Sequence, residues 1–172
     1  AKDVKELGKG VYNQYGVAAD GFNVSSIQFA IHYMFENKES LHNFLRNVSE
    51  TTAVGGYFIG TSYDGNEIFK LLKDKEINES VSIFDNENKL LEITKRYNEI
   101  EFPDDSSSLG YKIDVFQESI NKTFAEYLVN FKYLTSMLEN YGFVPLTKED
   151  ASRLNMPSSN GLFSELFNKM KD

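Results

Sequence analysis

The chain has 172 residues, 41% of them hydrophobic, with a formal charge of −8, three prolines, no cysteine and no tryptophan. That length and composition fit one folded domain with a real core and argue against disorder. The missing cysteines exclude disulfides, thiolate metal sites and a cysteine nucleophile, and the acidity argues against broad, non-specific phosphate binding.

The amino-terminal Ala1-Lys2-Asp3-Val4-Lys5-Glu6 has no apolar core of a secretory signal. No run reaches the roughly 18 apolar residues of a membrane span, so no membrane association is expected. Asp20-Gly21 signals a turn, and Phe22 to Phe29 reads as a strand. A helix follows from about Glu39 to Glu50, with Leu41, Phe44, Leu45 and Val48 on one apolar face. Gly55-Gly56 breaks the chain before a short strand, Tyr57 to Thr61. Two strands around a helix make a βαβ unit. Asp64 suits the N-cap of a helix carrying Ile68, Phe69, Leu71 and Leu72.

From Glu79 the character changes. Val81 to Phe84 and Leu90 to Thr94 flank the polar Asp85-Asn86-Glu87-Asn88, a hairpin signal. Pro103 to Ser108 reads as a mobile loop, and Tyr111 to Phe116 as a third strand. Phe124, Tyr127, Leu128, Phe131, Leu134, Leu138 and Tyr141 keep helical spacing, which predicts one long helix ending at Gly142. Phe143 to Leu146 reads as a short strand. Ser158 or Ser159 is the expected cap of a last helix with Leu162, Phe163, Leu166, Phe167 and Met170 inside. The expected organisation is a single α/β unit. Residues 1–78 form the second half of a doubly wound sheet, 79–120 a β-rich insert, and 121–172 a helix-strand-helix.

Chemistry concentrates at Gln28, Phe29, His32 and Tyr33, where a strand gives way to a loop. Ligands of open α/β sheets bind outside the carboxyl ends of strands. Two readings stay open: a strand end with a satisfied core histidine, or an aromatic platform beside polar groups suited to a flat heteroaromatic base. His42 falls on the exposed helix face, and the two histidines make no metal pattern with nearby acids. Asp104-Asp105 and Glu99 with Glu101 read as solvated loop. Ser106-Ser107-Ser108 lies in no nucleophile elbow.

Ile27 to Glu36, Leu45-Arg46-Asn47 and Gly55-Gly56-Tyr57-Phe58-Ile59-Gly60-Thr61, with Phe124 to Phe131 and Glu139 to Phe143, closely resemble mRNA cap guanine-N7 methyltransferases. The likeness runs over roughly residues 20 to 146 and is stronger to the methyltransferase domains of large-DNA-virus capping enzymes than to cellular ones. It implies the C-terminal portion of a Rossmann-like, S-adenosylmethionine-dependent methyltransferase fold with a β-rich insert. It also implies methyl transfer to N7 of the cap guanine. Gln28, Phe29 and Tyr33 would then meet S-adenosylmethionine, and His32 and Glu126 the cap guanine of a GpppN-ended RNA. No residue need act as acid or base, because guanine N7 is nucleophilic and carries no proton. Read without the resemblance, Glu126 belongs on a solvated face or first turn of the long helix.

There are departures from the family. Its glycine-rich first motif, its ribose-binding acid and its closing strand are expected before and after this chain, which predicts an inactive segment in isolation. The adenine-side acid would fall near Asp3. Ser62-Tyr63-Asp64 stands where relatives often have Thr-Pro. Partners expected from the resemblance are capped RNA, other capping-enzyme domains or a stimulatory subunit. The expected location is intracellular: infected cytoplasm or virion if viral, nucleus if cellular. A non-catalytic subunit that docks on and stimulates an active capping enzyme is the alternative. Intact Gln28, His32, Tyr33 and Glu126 favour the enzyme. A small-molecule methyltransferase is a third reading, favoured only if Glu126 points away from His32.

Overall fold

A computed structural model describes residues 15–169. The expectations at Asp3 and Met170 lie outside the described residues. Strand β1, Phe22–Gln28, follows Gly21, whose φ is +82°. A Cβ there would sit 2.7 Å from the Ala53 nitrogen, so only glycine lets the chain pass this close. After a 3-10 turn, Ile31–Glu36, helix α1 spans Lys38–Thr51. The Asn37 side chain caps it by accepting from the Ser40 N–H at 2.9 Å. Its Leu41, Leu45 and Val48 are buried, as their spacing predicts.

Strand β2, Thr52–Thr61, then returns parallel to β1, with Val24 opposite Tyr57 and Gln28 opposite Thr61. The expected βαβ unit is therefore present, but Gly55-Gly56 does not break it. Gly55 takes a φ of +82° inside the longer strand, beside a register shift between Phe22 and Val24. A glycine bulge bends the strand without ending it.

Helix α2, Gly65–Leu71, starts where Asp64 accepts from the Asn66 and Glu67 N–H groups. Four antiparallel strands follow in the spatial order of the chain: β3 Ser80–Asp85, β4 Asn88–Lys95, β5 Lys112–Gln117 and β6 Lys122–Tyr127. The predicted hairpin and third strand are both there. The loop before β5 is hydrogen-bonded throughout: Asp105 accepts from the Ser107 N–H, Ser108 is fully buried, and Asp104 accepts from Asn130 and Lys132.

The largest correction falls on β6. Residues 122–127 pair with β5, Glu126 opposite Ile113, so the predicted long helix does not begin at 121 and the β-rich region runs to Tyr127. Helix α3 covers only Phe131–Asn140. Asn130, fully buried, starts it by accepting from the Tyr133 N–H at 3.0 Å. Its end is as predicted: Gly142 has a φ of +86°, and Phe143 and Gly142 N–H groups donate to the Leu138 and Glu139 carbonyls.

Residues 143–146 are irregular, because no strand among the described residues lies beside them and Pro145 has no N–H to offer. A short helix missed by the sequence reading, α4, Lys148–Arg153, is capped by Thr147. Helix α5, Phe163–Lys169, begins beyond Ser158 and Ser159, which do not cap it; Glu165 accepts from the Leu162 N–H instead. Leu162, Phe163 and Phe167 are exposed, not interior.

Two cores result. The first joins Ile31, Phe35, Leu41 and Leu45 to Val129, Tyr133, Leu134 and Met137. The second joins Leu72 and Tyr97 to Ile93, Ile113 and Val115 of the antiparallel sheet and to Leu128. Leu128 and Val129 are neighbours in sequence but enter different cores, as alternation in an extended chain requires. The candidate site sits at this seam.

Candidate functional site

The 3-10 turn after β1 is tied, at its end beyond His32, to the chain just before β5 and to β6. The Gly110 N–H donates to the Phe35 carbonyl at 2.9 Å, and the Tyr127 hydroxyl donates to Glu36 at 3.0 Å. These contacts hold His32 over β6, an edge strand among the described residues. His32 and Glu126 are both buried, at 4% and 5% exposure, with Nδ1 and Oε2 3.6 Å apart. That separation is too long for a hydrogen bond. Both ring nitrogens of His32 and Glu126 Oε2 have no hydrogen-bond partner.

Three buried polar atoms without partners are unusual, since each costs free energy unless something else satisfies it. Burial pushes His32 down to about 4 and Glu126 up to about 7. The pair is thus held largely uncharged, with the carboxyl poised near neutrality. Desolvation disfavours the charged form of each, and no positive group or N–H donor relieves it.

The cleft around them is lined by Ser62, Tyr63, Gly65, Ile113 and the backbone run 127–129. Tyr63 stands at its side. Gln117 Nε2 donates to the Tyr63 hydroxyl at 2.8 Å, and the nearby Glu126 carboxylate, after burial, raises the phenol further. Gly65 closes the base: its N–H donates to the Val129 carbonyl at 3.0 Å.

The strand-end residues form an adjoining surface. Phe29 adopts a φ of +48°, a left-handed conformation that costs energy for a bulky side chain. Its N–H donates to both the carbonyl (3.0 Å) and the hydroxyl (3.1 Å) of Thr61. This conformation leaves the Phe29 ring half exposed, edge-on to Tyr63 at 6.5 Å and stacked on Phe163 at 5.8 Å. Gln28 is exposed; it accepts from Thr61 at 2.8 Å and donates to Ser26 at 2.9 Å. Tyr33 is 41% exposed and meets His32 edge-on at 4.3 Å.

The five residues singled out in the sequence therefore fall into two groups. His32 and Glu126 face each other in the cleft; Gln28, Phe29 and Tyr33 surround its approach. Tyr63 and Gln117 were missed, although the unusual Ser62-Tyr63-Asp64 was a signal for the former. His42 is exposed, with Nδ1 2.8 Å from the Tyr141 hydroxyl. Among the described residues, no three of His, Asp and Glu converge as metal ligands would, and no helix is long and apolar enough to cross a membrane.

Comparison with known proteins adds a family. The profile of the mRNA (guanine-N(7))-methyltransferase domain matches residues 6–172. A probable mRNA-capping enzyme of Acanthamoeba polyphaga mimivirus is 30% identical over 97% of this chain and 13% of its own length. The mRNA cap guanine-N(7) methyltransferase of Saccharomyces cerevisiae is 31% identical over 74% of this chain and 31% of its own length. The chain thus spans less than a third of each of these curated relatives. Among solved structures, an S-adenosylmethionine-dependent methyltransferase from Clostridium acetobutylicum overlaps 82% of this chain and 51% of its own, at 14% identity and a TM-score of 0.44, too loose to bear on function.

Proposed function

The chain belongs to the mRNA (guanine-N(7))-methyltransferase domain family, and from that premise we propose that it carries the guanine pocket and part of the methyl-donor site of a cap methyltransferase. The observation that carries this is the buried, unsatisfied His32–Glu126 pair. A guanine presents adjacent N1–H and N2–H donors, which a carboxylate accepts together, and next to them an O6 acceptor. Glu126 suits the first two. His32, held neutral and 3.6 Å away, has one ring N–H for the third. Such a ligand would satisfy the orphaned atoms in one step.

The arrangement also suits the reaction. Methylation at N7 puts positive charge on the purine. A carboxylate on its opposite edge, in a desolvated cleft, gains strength as that charge develops. Guanine N7 bears no proton, so Glu126 and His32 bind and orient, and neither must transfer a proton. S-adenosylmethionine would supply the methyl group. The residues at the end of β1 fit it: Gln28 offers an amide, and Phe29 and Tyr33 offer exposed aromatic surface beside the cleft. The small-molecule alternative requires Glu126 to point away from His32, and it does not.

The test is methyl transfer from labelled S-adenosylmethionine to unmethylated GpppA, with this chain run beside a form extended at both ends through the motifs expected there, in which the variants are made. Glu126→Gln and His32→Ala should each lower kcat/KM by about 10²–10³, the usual cost of removing one preorganised polar partner of a transition state. Unchanged turnover in both variants of the extended form would overturn the assignment, and no product from a folded extended form would favour the docking-subunit reading.

A further inference from the structure

Among the described residues, Asn78, Asn86, Asn121, Asn155 and Phe29 are the non-glycine positions with a positive φ. Asparagine tolerates that conformation; a bulky aromatic residue keeps it only where its surroundings over-determine it. The two hydrogen bonds from its N–H to Thr61 fix the Phe29 backbone, but its ring must be held by other side chains. Two rings flank it. Phe163 stacks on its face, yet is itself exposed on the short α5. Tyr63 meets it edge-on and is packed against the second core.

Tyr63 lies in the irregular connection 62–64 between β2 and α2, where no backbone ladder sets its direction. What ties its outer end is the hydrogen bond from the Gln117 amide to its hydroxyl. The Gln117 backbone is fixed on both sides. It pairs with Leu91 and with Lys122, and its carbonyl accepts from the Ile120 and Asn121 N–H groups. The antiparallel sheet thus reaches the Phe29 ring through Tyr63. The same Tyr63 lines the cleft that holds His32 and Glu126.

Resting on the guanine and methyl-donor reading above, we propose that Tyr63, anchored by Gln117, is a positioning residue that holds the Phe29 ring in place and so sets the line of approach between the donor methyl and the purine. It acts through Phe29 and moves no proton. Glu126 and His32 anchor the purine without it, so its loss misaligns the reacting groups more than it weakens purine binding.

The experiment measures kcat and KM for GpppA at saturating S-adenosylmethionine in the extended form. The variants are Tyr63→Phe, Gln117→Met, the two combined, Tyr63→Ala and Glu126→Gln, each checked for folding by circular dichroism. Tyr63→Phe and Gln117→Met should each lower kcat about fivefold, the effect of one hydrogen bond. The combined variant should fall by the same factor as either alone, because both remove one shared contact. Tyr63→Ala should lower kcat about 10²-fold, as a misplaced reacting group does. In all four, KM for GpppA should stay within about twofold of the parent. If Glu126→Gln cripples turnover while the Tyr63 variants keep the parent kcat, the positioning role is wrong and the guanine pocket stands. A raised KM with kcat retained would make Tyr63 a binding wall and would also overturn the role. Additive losses in the combined variant would show that Gln117 does not act through Tyr63. A folded extended form without Glu126-dependent turnover would overturn the guanine reading and the positioning role together.

Discussion

Glu126 and His32 illustrate how one buried pair can conceal its own pH dependence. The folded carboxyl holds its proton up to about 7 against an ordinary value of 4.5. Its contribution to stability is full below 4.5 and is lost as pH rises through 7. His32 is neutral in the fold down to about 4 against an ordinary 6.5. Its contribution is full above 6.5 and is lost as pH falls through 4. Between roughly pH 4.5 and 6.5 the two slopes oppose each other, each about 1.4 kcal/mol per pH unit. Urea midpoints should therefore change little for the parent in that window. Glu126→Gln should gain stability as pH rises, and His32→Gln should lose it. Two variants that track the parent would disprove the shifts. Binding follows the same logic: on the proposed reading guanine takes the carboxylate form of Glu126, so affinity for GpppA should rise up to tenfold per pH unit below about 7 and then level off. A flat affinity profile from pH 5.5 to 8 would contradict this.

Among the elements, the start of α2 decides how tightly the cleft is closed. A Cβ on Gly65 would lie 2.4 Å from the Val129 carbonyl oxygen, a backbone atom that cannot swing aside. Gly65→Ala should cost about 3 kcal/mol in chemical denaturation, as overpacking does. Asp64→Ala, which only removes the helix cap, should cost about 1 kcal/mol. Similar costs for both would mean that α2 does not press on residue 129. The cap at Asp64 was readable in the sequence because its signal is local. The strand β6 was not. Phe124, Tyr127, Leu128 and Phe131 satisfy helical spacing by coincidence, because an extended segment runs straight into a helix at a buried Asn130. Aromatic residues are at home in both conformations, so periodicity alone could not divide them. Glu126 was found through its resemblance to a family motif while being placed on the wrong kind of element. Tyr63 was visible only as an oddity, since its place at the cleft is fixed by a hydrogen bond from Gln117, far away in sequence.

In the molecule as a whole, the two sheets differ in how well they are supported. Among the described residues, β1 and β2 form a two-stranded parallel sheet with Phe22, Val24, Val54, Tyr57 and Ile59 exposed. β4 and β5 are flanked on both sides, and Ile93, Ile113 and Val115 are buried. Two-stranded sheets are marginal alone, and exposed backbone opens first. Amide exchange in this chain should therefore be slower in 112–117 than in 22–28. The reverse order would show that the parallel unit is the stable one.

The division of the first core has a temporal side. It needs Ile31, Phe35, Leu41 and Leu45 from early in the chain and Val129, Tyr133, Leu134 and Met137 from late in it. The second core is complete by Leu128. At about 5–20 residues per second of synthesis, the early apolar residues wait on the order of 5–20 s before their partners emerge from the ribosome. During that interval the hairpins can already be folding. The nascent chain thus has an interval in which Phe35 and its neighbours are candidates for chaperone capture, and it closes only when α3 has been made.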